Sequence, residues 1–199
     1  MYIPKFNLIE DVGTLLEFMR ANSFATLVSV HGGVPFATHM PFVVESEGLL
    51  ASHIARANPQ WTSFEGQEVL VIFQGDHSFV SPTWYQKHPS VPTWNYMTVH
   101  AYGRVRIVSQ PEAVKAMLHR LVLQYEQQWK MEELEEKFLH GMMQGIVAFE
   151  VEVTRLEGKF KLSQNRPEAD QRGVAEALSQ SDHATDRAVA AAMHKNLEG

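Results

Sequence analysis

The sequence predicts a mainly β chain with helices at its periphery, its strands antiparallel and wound into a barrel. Three observations carry this. Strand-like segments follow one another across short turns such as His31-Gly32-Gly33, a connection that makes hairpins and therefore antiparallel pairs. The longest segment, 94–108, alternates cleanly: Val99, Ala101, Val105 and Ile107 are apolar, whereas Tyr96, Thr98, His100, Tyr102, Arg104 and Arg106 are polar or aromatic. Finally, the count comes to about six strands, and a sheet of that size usually hides its edges by closing.

Taken in order, the chain opens with an extended lead-in at Tyr2–Phe6, and Asp11 caps a helix whose Val12, Leu15, Leu16 and Met19 share a face. Phe24–Val30 and Val34–Val44 are the first hairpin, followed by a turn at Glu45–Gly48 and a short strand at Leu49–His53. Asn58-Pro59-Gln60-Trp61 opens a helical turn, because proline's fixed φ suits a first helical position behind a capping Asn. Glu68–Gln74 is apolar on both faces and is expected to be central, and 77–81 adds a short strand. Ser109-Gln-Pro-Glu112 and Asn165-Arg-Pro-Glu168 both have the form of a capping box. The first starts a helix with Val114, Met117, Leu118, Leu121 and Tyr125 on one stripe, and Glu132–Glu136 is an acidic start to the next. Gly145–Thr154 is the last strand, and Ala-rich, weakly amphipathic helices at 167–179 and 183–196 finish the chain as an appendage. The expected division is a barrel domain at 1–160 and a C-terminal helical extension at 161–199.

Bulk properties narrow the function. The 199 residues hold no cysteine, which removes disulfide and thiol chemistry, and no apolar run approaches membrane-spanning length. A cytoplasmic protein without membrane contact is expected. A formal net charge of −6 speaks against a generic nucleic-acid surface, so DNA is a partner that neither charge nor motif supports. The standard signatures for dinucleotide, P-loop, zincin and nucleophile-elbow sites are absent. His39, His53, His77 and His100 lie on or beside strands, and hydrogen-bonding roles suit them better than a metal site.

The richest stretch is Gln74–Val108, which carries Trp84, Trp94, Tyr85, Tyr96 and Tyr102 around a proline-rich loop bracketed by PTWY and PTWN. A cofactor or a second subunit fits the aromatic face of 94–108 better than water does. Two other stretches suit an anion. In Ser52–Asn58 a strand end runs into a helical turn with Arg56 at the junction, and in Arg155–Asn165 the cations Arg155, Lys159 and Lys161 sit beside Ser163, Gln164 and Asn165. An aromatic ligand with a phosphate tail, such as flavin mononucleotide, answers to all three features.

HIARANPQW, EVLVIFQGDHSFVSPTWY, VPTWNYMTVHAYGRV and RLEGKFKLSQNRPEADQRGV resemble the PaiB-type family of FMN-binding negative transcriptional regulators, over about residues 1–178. The resemblance implies a split β-barrel like that of the pyridoxamine-phosphate-oxidase flavoproteins, working as a homodimer with FMN between subunits. It places the FMN phosphate at His53, Ile54, Arg56 and Asn58, the flavin ring against Thr38, His39 and Met40, and the rest of the pocket at Trp94, Asn95 and Tyr96. From the residues themselves, Lys159, Lys161 and Gln164 join the phosphate group. Three readings stay open: a regulator sensing flavin, redox state or a metabolite; an FMN-dependent oxidoreductase or flavin reductase of unknown substrate; and a barrel that has lost its cofactor.

Overall fold

Period-two alternation becomes an eight-stranded antiparallel sheet in the computed structural model, which describes residues 1–45 and 48–198. The strands are β1 (Leu8–Ile9), β2 (Phe24–His31), β3 (Val34–Pro41), β4 (Val43–Val44), β5 (Leu49–Ala55), β6 (Glu68–Val80), β7 (Thr93–Val108) and β8 (Ile146–Lys161). The helices are α1 (Val12–Ala21), α2 (Pro111–Tyr125), α3 (Glu136–Gln144), α4 (Glu168–Ser179) and α5 (Ala184–Glu198). The hydrogen-bonded order is β3-β2-β6-β7-β8-β5-β4, with β1 pairing β8, so β6 is interior as its apolar run requires.

The order is an open path, and the ladder does not close into a full barrel. Its two ends, β3 and β4, are separated in sequence by Phe42 alone. Phe42 interrupts what reads as one strand from 34 to 44: its amide turns to the Ser23 carbonyl (2.8 Å), and its ring is fully buried against Phe73 and Phe149. A core aromatic at this position thus sends the chain from one sheet edge to the other without a ladder across the gap. The turn expected at Glu45–Gly48 falls partly on residues 46 and 47, outside the described residues.

The chain divides into two compact units. One comprises Val12–Phe73 and His100–Leu156. Its core holds Leu27, Leu50, Phe64, Phe73, Ala101 and Phe149, all fully buried. On its sheet's far side Ala51 and Ala148 pack against Val114 and Met117 of α2. The sequence stripe of α2 is therefore real, with Val114, Met117 and Leu121 buried. The other unit comprises Met1–Asp11, Gln74–Val99 and the chain from Glu157 onward. Here α4 and α5 supply Val174, Leu178, Val189 and Met193 to a core shared with Val80, Tyr85 and Leu162.

Neither capping box forms. The helices begin at Pro111 and Glu168, behind Gln110 and Pro167, and neither position makes a side-chain cap bond. The final strand runs on to Lys161, past the end of its 145–154 reading, because Gly158 and Lys159 pair with Ile9 and Leu8 of β1.

Candidate functional site

In the first unit the site grows from the turn after β5. Asn58 caps the short helical turn at Pro59–Ser63, its Oδ1 accepting from the Gln60 amide (3.0 Å), and its Nδ2 donates to Thr38 Oγ1 (3.0 Å). Thr38 Oγ1 donates to Gln60 Oε1 (2.6 Å). Gln60, fully buried, donates through Nε2 to Ser29 Oγ (2.9 Å) and the Phe36 carbonyl (3.1 Å). Asn58 and Thr38 are therefore spent on shaping the turn.

What the turn presents is Arg56. Its Nε donates to the Gln144 carbonyl and its Nη2 to the Ile146 carbonyl, both at 2.7 Å. Its guanidinium lies 5.9 Å from the centre of the Trp61 ring, and Trp61 Nε1 donates back to the Arg56 carbonyl (2.9 Å). Arg56 and Trp61 line a cavity of about 270 Å³ together with His140, Met143, Gln144 and Ser109 among others. A guanidinium fixed by two carbonyls in the lining of a largely apolar cavity is a preorganised oxyanion donor. Nearby on β5, His53 keeps a buried Nδ1 with no protein partner, and burial holds its pKa below the ordinary imidazole value, which favours the neutral ring. These residues fit the phosphate-bearing end of a flavin nucleotide.

Other expected ligands are placed differently by strand alternation. His39 is exposed on β3, with Nδ1 bonded to Thr26 Oγ1 (2.8 Å), whereas Met40 and Ile54 point into the core.

In the second unit Trp94 is exposed, with its ring against His77 (6.0 Å) and Phe79 (5.9 Å). Tyr96 carries Lys159 over its face at 5.2 Å. Asn95 between them is fully buried and donates to Ser163 Oγ (3.0 Å). Lys161 donates to Thr93 Oγ1 (2.8 Å) and to the Trp94 carbonyl. Gln164 folds back on its own segment, accepting from the Leu162 amide (2.7 Å) and donating to the Phe160 carbonyl (2.6 Å). Arg56 belongs to one unit and the two lysines to the other.

Several contributors escaped the sequence reading. Trp61, His140 and Gln144 join Arg56 only through tertiary packing, and nothing in their local pattern marks them. Arg166 lies 4.3 Å from the centre of the Tyr85 ring and donates to Ser90 Oγ (3.3 Å). Its place beside the Lys159–Lys161 run was the available signal. Among the described residues no group of three or more His, Asp or Glu side chains could hold a metal ion. Among the same residues no helix is long and apolar enough to cross a membrane.

Residues 1–155 match the family described as "Putative FMN-binding domain". The protease synthase and sporulation protein PAI 2 of Bacillus subtilis is 34% identical over 205 residues, spanning 100% of this chain and 99% of the relative. Among solved structures, the flavocytochrome Anf3 from Azotobacter vinelandii matches with a TM-score of 0.67 at 15% identity, over 85% of this chain and 77% of that one. A conserved hypothetical protein, Rv2991, from Mycobacterium tuberculosis matches at 0.61 and 15% identity, over 84% of this chain and 94% of that one. These likenesses show the split-barrel fold. The sequence matches go further: this chain belongs to the PaiB-type family of FMN-binding proteins, and FMN is its cofactor.

Proposed function

We propose that the protein is an FMN-dependent regulator, holding the flavin phosphate on Arg56 and responding to flavin or redox state through protein contacts. The carbonyl-anchored guanidinium of Arg56 carries this reading, since a phosphate needs charge-assisted donors already in position. Bound FMN would supply one- and two-electron redox chemistry. The chain's own part is to fix the phosphate at Arg56, to offer the unpartnered His53 nitrogen and to set Thr38 and Asn58 behind the turn. The regulatory role takes support from the name of the Bacillus subtilis relative. Direct DNA reading is not included, because a net charge of −6 speaks against a generic nucleic-acid surface and the sequence shows no reading motif. A cytoplasmic location belongs to the same reading.

The working form is a homodimer built on the outward face of β2, β6 and β7. Val28 and Leu70 are cross-strand partners there, as are Thr26 and Ile72, and Phe24 is 67% exposed beside them. His100 and Tyr102 continue the face, opposite the fully buried Val99 and Ala101. Light scattering showing a stable 22.6 kDa monomer would remove the dimer.

Titration of FMN by flavin-fluorescence quenching tests the site. Arg56→Ala is expected to bind FMN about ten- to a hundredfold more weakly, the loss of one charged hydrogen bond of about 1.5–3 kcal/mol. Arg120→Ala is the control: Arg120 pairs with Glu45 at 3.1 Å on α2 and does not line the cavity. Equal affinity in both variants and wild type would refute the assignment.

A further inference from the structure

We propose that the bend following β8 and the loop preceding β7 form a second anion site, which takes the phosphate group of a small-molecule effector rather than the cofactor's. Three cations converge there, and each is met only by neutral groups. Lys161 Nζ donates to Thr93 Oγ1 and the Trp94 carbonyl. Lys159 Nζ donates to the Tyr2 carbonyl (3.2 Å) and lies over Tyr96. Arg166 donates to Ser90 Oγ and covers Tyr85.

Four carboxylates of the same unit are engaged with other groups. Glu157 takes the N-terminal ammonium, and Glu168 takes Arg172 at 2.7 Å. Asp170 Oδ1 accepts from the amides of Gln86 (2.7 Å) and Lys87 (3.2 Å). Asp186 accepts from Ser78 (2.6 Å) and Ser181 (2.7 Å). Among the described residues, none of the three cations is in an ion pair. In a chain of net charge −6, leaving three neighbouring cations uncompensated is a specific arrangement. Burial, followed by the charges of Lys159 and Arg166, pulls the Lys161 pKa down.

The backbone holds the crowd in place. Ser163, between Lys161 and Arg166, has φ 69°, a left-handed conformation unfavourable for a residue with a side chain. It is buried and clamped by Asn95, which donates to Ser163 Oγ and accepts back from it (3.2 Å). Gln164 ties the same bend to Leu162 and Phe160. Strain kept in place by a buried amide, in the middle of a segment that projects two cations, is typical of a functional site. A point charge at Lys161, a planar fork at Arg166 and hydroxyls at Ser90 and Thr93 together suit a phosphate monoester.

This inference rests on placing the flavin phosphate at Arg56, and the experiment separates the two. Inorganic phosphate is titrated calorimetrically into FMN-loaded and FMN-free protein, for wild type, Lys161→Met, Lys161→Arg and Arg166→Met. Saturable binding is expected in wild type in both states, weakened about tenfold or more in the two Met variants and largely restored in Lys161→Arg. FMN affinity is expected to be unchanged in Arg166→Met, a residue outside the FMN contacts expected from the sequence. Phosphate binding that survives in a protein unable to bind FMN would sustain this site while sinking the flavin assignment. Loss of FMN affinity in Lys161→Met, with FMN displacing phosphate, would give the site to the cofactor and overturn the proposal. So would the absence of binding at millimolar phosphate.

Discussion

Replacing Gln60 with Leu should cost more stability than most core changes, although the two side chains are similar in size. Gln60 is fully buried and joins the turn after β5 to both strands of the first hairpin. Its amide nitrogen serves Ser29 Oγ and the Phe36 carbonyl, with a long third contact to the Leu27 carbonyl at 3.4 Å. Its oxygen takes the Thr38 hydroxyl. Leucine would leave the buried Ser29 hydroxyl, the Thr38 hydroxyl and the Phe36 carbonyl short of a partner, at about 1–3 kcal/mol for each group that finds no substitute. The 3.4 Å contact adds little. Extra apolar burial returns about 1–2 kcal/mol, so the net loss is about 2–4 kcal/mol. At an m-value of about 2 kcal/mol/M, the urea midpoint should fall by about 1–2 M. Far-ultraviolet circular dichroism and tryptophan fluorescence during urea unfolding measure it. Ser29→Ala and Thr38→Val, each removing one partner, should cost about 1 kcal/mol. A Gln60→Leu loss below about 0.5 kcal/mol would show that the network carries no net stability, and that Asn58 and Pro59 hold the turn unaided.

Two further outcomes are expected. Burial depresses the His53 pKa below its ordinary 6.5, so the unfolded chain takes up a proton first as the pH falls; stability is lost from about pH 6.5 down to the folded pKa, and His53→Gln should flatten that part of a pH series of urea midpoints. Gly103→Ala would set a Cβ 2.4 Å from the Glu152 carbonyl oxygen and 2.7 Å from Val151 Cγ1, both on β8, so calorimetry should register a loss of about 1–3 kcal/mol, and an unchanged Tm would mean that β8 yields there freely.

The parts of the fold legible in the sequence are those governed by local period. The alternation of β7 separated Val99, Ala101 and Val105, all buried, from Arg104 and Arg106, both exposed. The same rule bears on the candidate ligands. Thr38, His39 and Met40 are consecutive on one strand and cannot all face one pocket: Thr38, bonded to buried Gln60, and buried Met40 share a face, and His39 is exposed on the other. Trp94, Asn95 and Tyr96 repeat the pattern, with Asn95 inward. What stayed illegible depended on distant partners. Residues 155–161 read as a basic loop because Lys159 and Lys161 carry no strand propensity, yet β1, some 150 residues earlier, pairs with Gly158 and Lys159. The Ser109 capping box failed for a local reason. Proline is preorganised for the first helical position, so Pro111 takes that place and pushes Ser109 one residue too far out to cap.

Arg56 shows why the site had to be read from structure as well as sequence. Its place at a strand end beside Asn-Pro suggested an anion ligand, but its two donated bonds go to carbonyls at the end of α3 and the start of β8. A cation there also meets the negative end of the α3 dipole, which has no basic side chain in its last turn. Arg56 therefore has two jobs, and Arg56→Ala removes both. The two can be told apart because the clamp acts in the FMN-free protein and the phosphate contact does not. Loss of the exposed clamp lowers the unfolding free energy of FMN-free protein by about 1 kcal/mol or less. Loss of the phosphate contact lowers only the extra stability that FMN adds, which follows RT ln(1 + [L]/Kd) and so tracks affinity directly. If Arg56→Ala lowered the stability of FMN-free protein but left the stability added by FMN unchanged, the guanidinium would be a splint for α3 and β8 rather than a ligand. A larger loss that Arg56→Lys partly restores is the signature of a charge held out to a phosphate.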